Sequence, residues 1–138
     1  MTTIVEKVLF LKSIDLFGSL PGEDLAQIAE IAEEVDAEPG DPIIVEGEMG
    51  DSLYLVLEGK VRVHKGEKTL VELGERQVVG EMAVLDSEPR SASVTAATPT
   101  RLLRIGREDF RDIMAERSEI AAGVVTTLSR RLREANKK

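Results

Sequence analysis

The apolar positions along the chain change period twice. Between residues 4 and 35 they recur at spacings of three and four, the signature of amphipathic helix. Val5, Val8, Leu9 and Lys12 fall on one face with only Lys12 polar, and Leu25, Ile28, Ala32 and Val35 form a second stripe. Pro21, followed by Glu23 and Asp24, marks the start of the second helix, because proline and acidic residues suit a first turn. Leu16-Phe17, between the two, reads as a buried elbow. From residue 36 to 106 the helical spacing gives way to short apolar pieces: Ile43–Val45, Leu53–Leu57, Val61–Val63, Leu70–Leu73, Val94–Ala96 and Leu102–Ile105. Gly40, Gly47, Gly50, Gly59, Gly66, Gly74 and Gly80 punctuate them, which predicts the strands of a barrel or sandwich with tight corners. Val61 and Val63 alternate with Lys60, Arg62 and His64, so that strand has one wet face. Residues 53–57 are apolar on both faces, as a central strand requires. From residue 107 the helical period returns, first as Phe110, Ile113 and Met114. It continues as a longer stripe of Ile120, Val124, Leu128 and Leu132, flanked by Ala121 and Val125.

Composition narrows the function classes. The 138 residues favour one domain spanning 1–138, and the apolar and charged fractions are those of an ordinary globular chain. No apolar run approaches the roughly 20 residues of a membrane span, and Glu6, Lys7 and Lys12 interrupt any signal-peptide pattern. A cytoplasmic protein is expected, or one on the cytoplasmic face of a membrane protein if the chain is a fragment. The absence of cysteine excludes disulfides, thiolate metal sites and cysteine nucleophiles. A net charge of −8 argues against nucleic acid as a partner. His64 is the only histidine, so a metal site of two or three histidines cannot be built, and no nucleophile–base pair is visible. The chain is therefore read as a non-enzyme without metal or cofactor, with His64 a solvated strand residue and Asp86 and Glu88 parts of a solvated turn. Positive charge crowds the C-terminus at Arg130, Arg131, Arg133, Lys137 and Lys138. Such charges suit the negative end of a last helix; a contact with ligand, lipid or a neighbouring domain is the alternative.

The densest chemistry lies in residues 80–93. Gly80, Glu81, Met82, Ala83, Val84 and Leu85 lead through Asp86–Glu88 to Pro89, Arg90, Ser91, Ala92 and Ser93. A glycine lets backbone approach a ligand closely. The first N–H groups of a short helix lack intrahelical partners. An arginine fork can hold two phosphate oxygens, and a carboxylate, an acceptor only, suits a sugar hydroxyl and repels the phosphate. The parts fit an anionic sugar phosphate.

Three blocks carry a resemblance that covers roughly residues 14–136: Glu46-Gly47-Glu48-Met49-Gly50-Asp51-Ser52-Leu53-Tyr54, then Val56-Leu57-Glu58-Gly59-Lys60-Val61, then the 80–93 segment with Pro89-Arg90-Ser91-Ala92. In this order and spacing they resemble the cyclic-nucleotide-binding domain of catabolite-activator-type regulators, kinase regulatory subunits and cyclic-nucleotide-gated channels. The resemblance implies a mainly β fold: an antiparallel, jelly-roll-like β-roll of about eight strands, with N-terminal helices (1–35), the roll (36–106) and C-terminal hinge and lid helices (107–138). It implies that residues 80–93 are the phosphate-binding cassette. In that cassette Glu81 accepts from the ribose 2′-hydroxyl, Arg90 pairs with the cyclic phosphate, Ser91 and Ala83 add donors, and Gly80 keeps the sugar edge free of bulk. Met82, a flexible filler, and Ala92 belong to the same segment. Val63, Leu73 and Val84 are expected to wall the purine, and the base lid to lie among Arg130, Arg131, Arg133 and Asn136. The position before Gly80, often aromatic in the family, is Val79 here, and no aromatic is placed for base stacking. The implied function is a sensor of 3′,5′-cyclic nucleotide, cyclic AMP before cyclic GMP, that signals through its C-terminal helices to an effector domain or protein. A cyclic GMP reader, or a degenerate structural or dimerisation module, is the alternative. The Ile120–Leu132 stripe is also suited to a homodimer.

Overall fold

The computed structural model describes residues 2–86 and 88–137, with no side chain described at Ala83. The chain opens with α1 (Ile4–Lys12) and α2 (Gly22–Ile31). Thr3 caps α1 through a reciprocal box in which its hydroxyl accepts from the Glu6 N–H and its own N–H donates to the Glu6 carboxylate. Pro21 stands at the cap of α2. Between them the 13–20 elbow turns on successive backbone bonds and buries Ile14, Leu16, Phe17 and Leu20.

Eight strands follow: β1 (Glu33–Ala37), β2 (Pro42–Ile44), β3 (Ser52–Glu58), β4 (Val61–Lys65), β5 (Lys68–Leu73), β6 (Val78–Val79), β7 (Ser93–Ala96) and β8 (Thr100–Gly106). The short helix α3 (Glu81–Leu85) sits between β6 and β7, and α4 (Arg107–Glu116) and α5 (Ser118–Ala135) close the chain. All strand pairs are antiparallel and form two four-stranded sheets, β1-β8-β3-β6 and β2-β7-β4-β5. The fold is thus the expected β-roll with helices on either side in sequence.

Two cores flank the first sheet, and strand alternation explains both. Leu53 and Leu55 of β3, with Leu103 and Ile105 of β8, point to the helices and pack with Leu11, Phe17, Leu25, Ile28, Phe110, Ile120 and Val124. Val56 and Leu102, on the opposite faces of the same strands, pack with Ile44, Val61, Val79, Val94 and Ala96 between the sheets. That is why residues 53–57 are apolar on both faces. Phe17 and Phe110 meet edge to face, with ring centroids 5.9 Å apart, at the centre of the helical core.

Several sequence expectations are corrected. The helical stripe does not run to residue 35: α2 ends at Ile31, and Glu33–Ala37 pair along β8 with Val35 opposite Leu102. A tertiary ladder overrides a local three-and-four spacing that suits either state. On α1 the buried side is Leu11, with Val8 and Phe10 packed beside it, whereas Val5 and Leu9 are exposed. The C-terminal stripe also divides: Ile120 and Val124 enter the core, while Val125 and Leu132 are exposed. His64 is half-buried, with Nδ1 2.7 Å from the Gly66 carbonyl and Nε2 2.8 Å from the Thr95 hydroxyl, tying the β4–β5 hairpin to β7.

The β3–β4 corner requires a glycine. Gly59 has φ +93°, and a Cβ there would overlap the Pro99 carbonyl oxygen and lie 2.8 Å from Thr100 Oγ1. Left-handed strain and a backbone clash add, so Gly59→Ala is expected to lower unfolding free energy by about 2–4 kcal/mol. Urea denaturation with an unchanged m-value will measure it.

Candidate functional site

The inter-sheet core does not fill the roll. It runs out into a cavity of about 450 Å³, in the ordinary size range of small-molecule sites. Ile44, Val79 and Val94 belong to both the core and the cavity wall. Val63, Val71, Leu73 and Val78 extend the aliphatic wall, and residues of the 80–92 segment close the other side, with Glu81, Asp86, Glu88, Arg90 and Ser91 supplying its polar groups.

Arg90 is the fixed point of that side. It sits just before β7, and its backbone is stitched to the β2–β3 turn: its N–H donates to the Glu48 carbonyl at 2.8 Å, and its carbonyl accepts from the Gly47 N–H at 2.9 Å. The guanidinium reaches across the roll, where Nη2 donates to the Ser52 carbonyl at 2.7 Å and Nη1 to the Gly80 carbonyl at 3.1 Å. Burial holds its pKa below the ordinary arginine value, with Tyr54 and Asp51 pulling in the opposite direction. The group remains a cation at neutral pH, since arginine titrates far above it. No carboxylate forms an ion pair with it among the described residues. A partly desolvated cation with its fork already aimed by two carbonyls is suited to an anion, which it could bind without first being ordered.

Gly80 makes that placement feasible. It adopts φ +79° as the cap of α3, and a Cβ on it would lie 2.5 Å from Arg90 Nη1, 3.0 Å from Ile44 Cδ1 and 3.2 Å from the Ser52 carbonyl oxygen. Glu81 follows at the cavity wall with 21% of its side chain exposed, and Arg131 of α5 approaches its carboxylate at 3.5 Å. Arg131 also donates from Nε to Asp15 at 3.2 Å, and Arg130 pairs with the same carboxylate at 2.5 Å. Glu81, which lines the cavity with Asp86 and Glu88, is thereby linked to the N-terminal elbow through α5.

Of the residues expected from sequence, the structure brings Gly80, Glu81, Met82, Arg90, Ser91, Ala92, Val63 and Leu73 to one cavity. Ala83 lies in α3, and its side chain is outside the described residues. Val84 is corrected: it is fully buried in the helical core, because α3 turns that face toward α4 and not toward the cavity. None of Arg130, Arg131, Arg133 and Asn136 lines the cavity; the first two are engaged by Asp15, and the last two are exposed. Ile44, Val71, Val78, Val79 and Val94 were not singled out as ligand wall. The in–out alternation that brings Val63 and Leu73 to the cavity was the available signal for Val71. The carbonyls that aim Arg90 carry no residue signal at all. Among the described residues no cluster of three or more histidine, cysteine or acidic groups could hold a metal, and no helix is long and apolar enough to cross a membrane.

Fold and site together define a β-roll module whose cavity is bounded by an arginine-bearing loop. The family model of the cyclic nucleotide-binding domain matches residues 34–117, and the chain belongs to that family. It is 43% identical over 102 residues to the cyclic AMP receptor protein of Thermus thermophilus, a match that takes in 70% of this chain and 47% of that protein. Among solved structures it is similar to the N-terminal domain of a transcriptional regulator from Streptomyces coelicolor A3(2), with TM-score 0.84, 34% identity and 93% of each chain covered. It is also similar to the regulatory domain of Toxoplasma gondii PKA in co-crystals with cAMP, with TM-score 0.75, 31% identity, and 80% of this chain and 44% of that one covered. The chain spans about half the length of the curated relatives it matches, 47% and 56% for two bacterial regulators.

Gly80→Ala is expected to cost about 1–2 kcal/mol from left-handed strain alone. It should also displace the Arg90 guanidinium, because the new methyl group would occupy its position. Chemical denaturation measures the first effect, and a crystal structure of the variant shows the second.

Proposed function

We propose that the cavity binds a 3′,5′-cyclic nucleotide, cyclic AMP in preference to cyclic GMP, and that occupancy is transmitted through α4 and α5. The observation that carries this reading is Arg90: a guanidinium aimed by the Ser52 and Gly80 carbonyls, in no carboxylate ion pair among the described residues, at the edge of an aliphatic cavity. The cyclic phosphate meets that fork, with Ser91 beside it. Glu81 accepts from the ribose 2′-hydroxyl, a role for which a carboxylate is chemically matched and through which it repels a misplaced phosphate. The purine lies against Val63, Val71 and Leu73, held by burial of apolar surface and not by aromatic stacking.

Relatives support the same ligand, since several are named for cAMP. Signalling has a material route. Arg131 couples Glu81 to Asp15, and buried Asp24 of α2 accepts from Arg117 at 2.6 Å at the joint between α4 and α5. A ligand that engages Glu81 acts on a carboxylate already tied to the helices, and a difference in that contact between two states is what population shift requires. The effector would be a further domain or a separate protein. The exposed Val125 and Leu132 give α5 an apolar surface on which a second copy or that effector can pack.

Isothermal titration calorimetry with cyclic AMP and cyclic GMP side by side tests the reading. Cyclic AMP should bind more tightly, and Arg90→Ala should weaken it by about ten- to several-hundredfold while circular dichroism shows the fold retained. Unchanged affinity in that variant removes Arg90 from the site, and no binding of either nucleotide at millimolar concentration removes the function. For Glu81, the wild type should prefer cyclic AMP to its 2′-deoxy analogue by about tenfold. Glu81→Ala should abolish that preference, and a preference that survives would place the sugar elsewhere.

A further inference from the structure

The polar side of the cavity rests on α3, a helix of five residues. A helix this short has no stability of its own, because nucleation is not repaid by so few bonds. Two contacts hold it from below. Val84 is fully buried in the helical core with Phe110 of α4. Arg111, the next residue of α4, reaches the C-terminal end of α3, where Nε donates to the Val84 carbonyl at 3.2 Å and Nη2 to the Leu85 carbonyl at 3.4 Å. These carbonyls belong to the last turn, which has no intrahelical donors, and a cation there also complements the negative end of the helix. Asp86 adds one backbone bond, from its N–H to the Met82 carbonyl at 2.8 Å.

We propose that Arg111 is a positioning residue for the ligand cavity: its guanidinium caps the C-terminal end of α3 and so holds Gly80 and Glu81, at the other end of that helix, in binding geometry. Arg111 does not line the cavity, and its side chain lies on the exposed surface. It therefore acts on the ligand only through α3. The cap also gives α3 a polar link to α4, distinct from the ion pair that joins Glu81 to α5.

The inference rests on the cyclic-nucleotide reading of the cavity, and the experiment separates the two. Arg111→Ala and Arg111→Lys are compared with wild type in three measurements: cyclic AMP affinity by calorimetry, thermal midpoint, and hydrogen exchange of the 81–86 segment without ligand. Arg111→Ala should weaken cyclic AMP binding by about three- to tenfold, with a thermal midpoint close to wild type and faster exchange confined to 81–86. Arg111→Lys, which keeps the charge and one donor, should recover part of both. Unaltered exchange and affinity in Arg111→Ala overturn the proposal. So does a loss of affinity that tracks a general loss of stability, with exchange rising throughout the helical core and no recovery by lysine. If wild type binds neither cyclic nucleotide, the functional reading fails, while the exchange arm still decides whether Arg111 holds α3.

Discussion

One guanidinium joins the layers of this molecule. Arg90 enters from the loop that feeds β7 of one sheet, and its fork closes on the Ser52 carbonyl of β3, in the other sheet, and on the Gly80 carbonyl at the start of α3. The cost of partly burying a charge is offset by charge-assisted bonds to carbonyls whose positions the sheet already defines. The glycine at position 80, the packing of Ile44 against it and the bonding of the β2–β3 turn to the Arg90 backbone are all adaptations to that placement. They organise a cavity edge around a cation, and the aliphatic strands supply the remainder of the wall.

Around this point the helices form a second, ionic layer. Asp24 and Arg117 lock the α4–α5 joint to α2, with hydrogen bonding to Asp24 raising the Arg117 pKa above its ordinary value. Arg130 and Arg131 gather on Asp15, and Arg131 extends to Glu81. Gly123 lets α5 settle closely on Leu20 of the elbow, since a Cβ there would come within 2.9 Å of the leucine Cδ2. The N-terminal elbow is therefore the seat of the C-terminal helix, and Glu81 of the cavity wall is within reach of Arg131. Terminal segments far apart in sequence meet beside the cavity through charges that sequence alone left unassigned.

Most of the fold was legible because alternation and glycine punctuation are strong local signals. Six strands could be read directly from apolar pieces, and the resemblance implied the remaining two. β1 was hidden within a helical spacing, since Val35 fits either period until β8 is present to pair with it. β6, two residues long, is too short to show a period. The 80–93 segment was legible as residue types, and its glycine, acid and arginine do line one cavity. The cavity wall was only partly legible: Val63 and Leu73 line it, but Val84 does not, because the face a one-turn helix presents depends on what packs beneath it. The meeting of Arg130 and Arg131 with Asp15 was unreadable for the same reason that any pair more than a hundred residues apart is: separation along the chain says nothing about adjacency until the elbow is folded.

The two faces of β3 have a mechanical consequence. Leu53 and Leu55 stand in the helical core, while Val56, one residue on, stands in the core that opens into the cavity. The strand is a shared partition only one backbone thick. That partition is close-packed on both surfaces, so the packing around Val56 on one face and around Leu53 and Leu55 on the other is not independent. The roll is built less like the wall of a container than like a diaphragm between two chambers.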